Sequence, residues 1–204
     1  MSKNLFFKNS MFVLALSSVS FAFAKSETLK VDTAATVLDW KGAKVTGTHN
    51  GKIKLTEGQL TLNENQIAGG KFVIDMNSMT CEDITDAETN QKFLGHMKNE
   101  DFFEVSKFPT STFEITKVTA LKAPDASGNT HTIDGNLTIK GNSNPYSFPA
   151  KVELSKGVVK AMGTMKIDRT KWNVRYGSGK FFKGLGDKAI NDEFEIALNL
   201  TAKK

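Results

Sequence analysis

The sequence predicts an all-β protein, an antiparallel barrel or sandwich, and three observations carry that expectation. Most of the chain alternates apolar and polar residues with a period of two, the pattern of strands that keep one face dry. Turn signals divide these runs at short spacing, and strands do not alternate with helices as a parallel sheet would need. The length of 204 residues, 39% of them hydrophobic and 24% charged, suits one globular domain rather than a fibrous or disordered chain. No linker, repeat or low-complexity tract divides it.

The N-terminus differs from the rest. Lys3 and Lys8 form a positive start, Met11 to Phe23 is an apolar run broken only by Ser17, Ser18 and Ser20, and Ala22-Phe23-Ala24 has the small-x-small pattern of a cleavage site. Residues 1–24 therefore read as a cleaved signal peptide, and residues 25–204 as the single mature domain in the periplasm or outside the cell. The alternative is a retained anchor, but thirteen residues fall short of the roughly 20 that a membrane span needs.

Strands follow in order. Val37 to Lys41, Gly51 to Leu55 and Leu60 to Leu62 are short candidates. Phe72, Ile74 and Met76 share one face of the next, and Phe113 and Ile115 one face of another. The rows Ile133-Gly135-Leu137-Ile139, Phe148-Ala150-Val152-Leu154, Val159-Ala161-Gly163-Met165-Ile167 and Phe194-Ile196-Leu198-Leu200 complete the set. Turns are expected at Glu57-Gly58, Asn63-Glu64-Asn65, Pro124-Asp125, Ser127-Gly128-Asn129, Gly141-Asn142 and Lys156-Gly157. One segment breaks the alternation. Thr85-Asp86-Ala87-Glu88 fits a capping box with Thr85 as the cap, and Phe93, Leu94 and Met97 follow at helical spacing, so a short helix is expected from Asp86 to Met97. A turn through Asn99 to Phe103 ends it.

Charge and chemistry exclude several functions. The formal charge of +5 falls to +3 when Lys3 and Lys8 leave with the signal peptide, and the remaining lysines are dispersed. A nucleic-acid groove needs a basic stripe. Cys81, the only cysteine, excludes an internal disulfide and is expected to be buried and inert. His49, His96 and His131 are far apart without metal-ligand spacing, so no metal is expected. No nucleophile elbow or phosphate loop occurs, and Glu193 and Glu195 lie on a wet strand face. The chain is not expected to be an enzyme or to need a cofactor.

The C-terminal third is unusual. The only two arginines, Arg169 and Arg175, bracket Trp172 and precede Tyr176, and the stretch from Gly177 to Gly186 sets four glycines around Phe181 and Phe182. One reading is a flap over a barrel mouth, with arginine or lysine offered to an anionic headgroup. The other is a long hairpin whose aromatics plug one end while Arg169 pairs with Asp168. Phe181 and Phe182 suit a homodimer contact as well as a flap.

Five segments in order resemble the YceI family: Gly95-His96-Met97-Lys98-Asn99-Glu100-Asp101-Phe102-Phe103 with Lys107 to Phe113, Gly135 to Gly141, Ile167-Asp168-Arg169-Thr170, and Asp192 to Ile196. The resemblance runs from Leu29 to Leu200. It implies a lipocalin-like antiparallel β-barrel of about eight strands with one short helix, exported in bacteria. It also implies a non-enzymatic carrier that holds a long isoprenoid or similar lipid, such as a quinone tail or a polyprenyl phosphate. On that reading the tail contacts Phe72, Phe113, Phe148, Trp172 and Phe194, with Arg175 and Tyr176 near the headgroup. The stretch after Thr170 is longer than the simplest family pattern. Gly135, Ala150, Ala161 and Gly163, small residues among large ones, suit a lipid channel and a tapering packed core equally. A packed-barrel structural or stress-related interaction protein is thus the alternative, and an enzyme with a dispersed site a remoter one.

Overall fold

The computed structural model describes residues 26–204; the signal-peptide reading lies outside the described residues. Nine strands form one sheet: β1 (Ser26–Val31), β2 (Val37–Lys44), β3 (Gly47–Asn63), β4 (Gln66–Asp75), β5 (Thr110–Ala120), β6 (His131–Ile139), β7 (Asn142–Ser155), β8 (Val158–Asp168) and β9 (Glu193–Lys203). Every pairing is antiparallel, and the order β3-β2-β9-β8-β7-β6-β5-β4 returns to β3. The protein is therefore a closed eight-position barrel, lipocalin-like as expected, and closure leaves no open sheet edge among the described residues. The ninth strand shares a position. β2 pairs with Gly47–Ile53 of β3 and with the first half of β9, while β1, in line with it, pairs with Gln59–Asn63 and with Ala202 and Lys203.

The hairpins are tight. Glu64-Asn65, Lys140-Gly141 and Lys156-Gly157 each place two successive residues at positive φ, between 49° and 75°. Two such residues make the primed turn whose twist matches the flanking strands. The first and third fall where the turn residues predicted them; the second lies one residue before the expected Gly141-Asn142, because Asn142 already pairs with Ile139 as the first residue of β7. At the β5–β6 connection, Asp125 Oδ1 accepts the backbone N–H groups of Ser127 and Asn129.

Three local expectations need correction. Glu57-Gly58 is not a turn: β3 runs through it with a bulge between Leu55 and Glu57. Gly58 serves close approach instead, since a Cβ there would lie 2.7 Å from Val31 Cγ2 of β1. β1 itself went unrecognised because only Leu29 and Val31 of its six residues are strongly apolar. The helix, α1 (Ala87–Lys98), is capped by Asp86, not Thr85: Asp86 Oδ1 accepts the Thr89 N–H at 2.8 Å, while Glu88 pairs with Lys92. Hydrogen bonding with the Thr89 side chain, and next with its backbone N–H, holds the Asp86 carboxyl below its ordinary pKa.

The barrel has two unlike ends. At one, the turns 64–65 and 156–157 and the start of β1 gather, and Leu29, Val159 and Ala202 are wholly buried with Leu62. At the other lie the β2–β3 turn, the excursion 76–109 that carries α1, and the long β8–β9 connection, residues 169–192. No helix among the described residues is long and apolar enough to cross a membrane.

Candidate functional site

A cavity of about 530 Å³ occupies the barrel between these ends and reaches the surface at the second. Its deep wall is built from inward rows of the strands, including Leu60, Ile115, Ile133, Val152 and Leu200. Strand pleat explains this. Successive side chains alternate faces, so each dry row faces the barrel axis. Small residues divide between the two roles left open by the sequence. Ala150 and Ala161 are on the cavity wall. Gly135 instead makes room for a neighbour, since a Cβ there would lie 2.5 Å from Phe113 Cζ.

Four of the expected contact residues, Phe72, Phe113, Phe148 and Phe194, line the cavity. Phe113 and Phe148 face each other with ring centroids 5.7 Å apart. Tyr176 is also on the wall, at the mouth, where it is 42% exposed and packs edge-on to His96 and tilted to Phe102. Trp172 and Arg175 are not brought to the wall. Trp172, 1% exposed, packs on Tyr146 and donates its indole N–H to the Leu137 carbonyl at 2.8 Å. The Arg175 guanidinium lies over the Phe181 ring at 4.6 Å.

The fold adds wall residues that sequence reasoning missed. Trp40 and Leu38 come from β2, and Phe93 and Met97 from α1, which lies across the mouth with Phe102 and Phe103 behind it. The alternation of Val37 to Lys41 and the helical spacing of Phe93 and Met97 were the available signals. Lys44 and Lys188 also reach the mouth. Val45 N–H donates to the Ala189 carbonyl there, joining the β2–β3 turn to the β8–β9 connection. No local sequence pattern predicts that juxtaposition.

Electrostatics sort the cations of the mouth. Arg169 is buried and donates to the carbonyls of Val174, Tyr176, Ile190 and Asn191, lacing the two legs of the β8–β9 connection together. Burial lowers its pKa from the ordinary arginine value, with Asp192 and Asp168 opposing the shift. Asp168 is not its salt-bridge partner, as one reading expected; Asp192 is, at 3.8 Å, and Asp168 pairs with Lys180 at 2.9 Å. Among the described residues, Lys44, Lys188 and Arg175 have no carboxylate within 4.0 Å. These are the cations free to meet an anion. Phe181 and Phe182, 45% and 48% exposed, stand beside them on the outer surface.

One group of three candidate metal ligands also converges at the rim among the described residues: His49, Cys81 and Asp83. Their separation in sequence concealed it.

The family model described as a YceI-like domain matches residues 29–202. The chain belongs to the YceI family. A UPF0312 protein of Pseudomonas aeruginosa (strain LESB58) is 32% identical over 102 residues, which is 50% of this chain and 48% of that protein. A UPF0312 protein of Enterobacter sp. (strain 638) is 30% identical over a stretch covering 50% of this chain and 47% of its own. The matched stretch spans about half the length of these curated relatives. Among solved structures, Burkholderia cenocepacia BcnA shares the fold with a TM-score of 0.65 at 23% identity, over 85% of this chain and 99% of that one. A polyisoprenoid binding domain from Saccharophagus degradans, implicated in plant cell wall breakdown, gives 0.60 at 12% identity, over 86% and 97%.

Proposed function

We propose that this protein is an exported carrier that holds one long isoprenoid or similar lipid in the barrel, tail inward and headgroup at the mouth. The observation that carries the reading is a deep apolar cavity with one open end, where Lys44 and Lys188 stand unpaired. Each buried CH₂ is worth roughly 0.8 kcal/mol, so a tail of many carbons supplies the drive without any catalytic group. The same scale makes length selection weak, since one methylene changes binding by only about 1–3 kcal/mol. Identity is read at the mouth. Two free lysines favour an anionic headgroup such as polyprenyl phosphate over a neutral quinone. The polyisoprenoid-binding neighbour supports the lipid class, and the N-terminal leader supports a periplasmic or secreted location. Phe72, Phe113, Phe148 and Phe194 are assigned to the tail and Tyr176 to the headgroup region. Trp172 and Arg175 are reassigned to supporting the mouth from outside the cavity. The exposed Phe181 and Phe182 serve as the flap rather than as a homodimer contact.

Native mass spectrometry of protein isolated from an envelope fraction without detergent tests this. The expected result is a defined extra mass that extracts into organic solvent as an isoprenoid. A clean mass, unchanged after incubation with quinone and with polyprenyl phosphate, overturns it.

A further inference from the structure

The excursion between β4 and α1 carries a strap, residues 79–86, that lies flat against the start of β3. Thr80 N–H donates to the Lys52 carbonyl at 2.9 Å and Glu82 N–H to the Asn50 carbonyl at 2.8 Å. The Trp40 indole N–H donates to the Thr80 carbonyl, and Asn90 Nδ2 donates to the carbonyls of Cys81 and Ile84. Gly51 seats the strap, because a Cβ at that position would lie 2.0 Å from the Thr80 oxygen. This docking brings His49, on β3, together with Cys81 and Asp83. Their ligating atoms all lie within 4.8 Å of one another. His49 Nδ1 is 2.7 Å from Asp83 Oδ2, and Cys81 Sγ is 3.3 Å from Asp83 Oδ1.

We propose that His49, Cys81 and Asp83 form a binding site for a late first-row divalent cation such as Zn²⁺. One nitrogen, one sulfur and one carboxylate oxygen are a donor set that suits zinc rather than calcium or magnesium, which take oxygen alone. Three protein donors leave a fourth position for water or an exogenous ligand. Thiolate and carboxylate together balance the two positive charges, so the loaded site is neutral at a half-buried rim. The groups around it hold the donors in place. Asn50 N–H donates to Asp83 Oδ1 at 2.9 Å, leaving Oδ2 for the metal, and the His49 ring packs on Phe93 at 4.7 Å. Binding replaces the Cys81 S–H bond with S–Zn and releases that proton to solvent. Neutral His49 binds through Nδ1 with its proton on Nε2. Because binding releases a proton, affinity falls as pH falls. His49 also lines the cavity mouth, but metal binding by the three donors does not rest on the lipid reading.

The test uses the intact chain and the metals alone. Zinc titration against a chromophoric chelator should give one equivalent bound below micromolar concentration. Cobalt(II) should develop a thiolate-to-metal charge-transfer band together with tetrahedral d–d absorption. Cys81→Ser should abolish that band and weaken zinc binding at least about 100-fold, beyond the 10–100-fold typical of losing an outer-shell partner. His49→Gln and Asp83→Asn should each weaken zinc binding as well. Absence of stoichiometric binding, a cobalt spectrum without the thiolate band, or a band that survives Cys81→Ser overturns the proposal. The wild-type cobalt spectrum decides the matter even if a variant fails to fold, and none of these readouts involves lipid.

Discussion

The two ends of the barrel are built from the same alternating strands and do opposite things. At the sealed end the inward rows meet and exclude everything, with Leu29, Val159 and Ala202 fully buried. At the mouth the same rows stand apart and enclose a cavity. The difference comes from what is laid across each end. β1 sits in line with β2 and packs Val31 onto Gly58, so the far end is filled by a strand of its own. The mouth is spanned by α1 and the β8–β9 connection, which touch through rings and hydrogen bonds rather than through a continuous sheet. Stability is therefore concentrated at one end and binding capacity at the other.

The largest expected effect breaks the sealed end. Leu29→Ala should cost about 2–5 kcal/mol, because it removes transfer energy and leaves a hole in tight packing. Leu198→Ala, on the wall of a cavity already present, should cost less, since no new void is sealed in. Urea denaturation of the two variants checks this. Equal losses would mean that the ends do not differ in packing. At the cavity itself, Phe148→Arg places a cation opposite Phe113 and should leave a folded protein that has lost its bound lipid. Circular dichroism with native mass spectrometry reads both, and retained lipid would remove Phe148 from the lining.

A smaller effect sharpens the role assigned to the mouth. Replacing Lys44 and Lys188 together by glutamine removes two exposed cations, each worth about 0.2–1 kcal/mol to an ion pair. Polyprenyl phosphate should then bind about two- to thirtyfold more weakly, with binding of an uncharged quinone unchanged. Equal weakening of both ligands would mean that the lysines shape the mouth rather than read charge.

Sequence legibility follows the same division. The long strands were readable because alternation is a local property, and Phe72, Phe113, Phe148 and Phe194 could be set inward from their rows alone. β1 was not, because its six residues supply only two strongly apolar positions. Gly58 was misread because a glycine needed for close approach looks the same in sequence as one needed for a turn. Trp172 and Arg175 were misplaced for a related reason. What removes Trp172 from the wall is a carbonyl 35 residues away, and what occupies Arg175 is the ring of Phe181. His49 and Cys81 lie 32 positions apart and meet only because the strap docks on β3. Whatever depends on non-local docking at the mouth was invisible, whereas the barrel wall was not.

The finest test concerns how firmly the mouth is tied. Lys180 bridges Asp168 at 2.9 Å and Asp192 at 3.3 Å, anchoring the glycine-rich loop to the ends of β8 and β9. Burial tends to raise the Asp168 pKa, but bonds from Thr170 and Lys180 outweigh it and hold the carboxyl below its ordinary 3.8. Its contribution is thus full above pH 3.8 and is lost as pH falls through the lower folded value. The Lys180 pKa is raised above 10.5, chiefly by its bond to Asp168, so its contribution is full below that pH and is lost as pH rises through the higher folded value. The tether should therefore hold across the neutral range. Asp168→Asn should speed hydrogen exchange at the Phe181 and Phe182 amides, which donate to the Ser178 carbonyl, at pH 7. At a pH low enough to protonate Asp168 the variant and the wild type should converge. Exchange in β1 should not change at either pH, because the sealed end is held by packing rather than by charge. If β1 exchange also rises, the two ends are one cooperative unit, and the division of labour drawn from their packing fails.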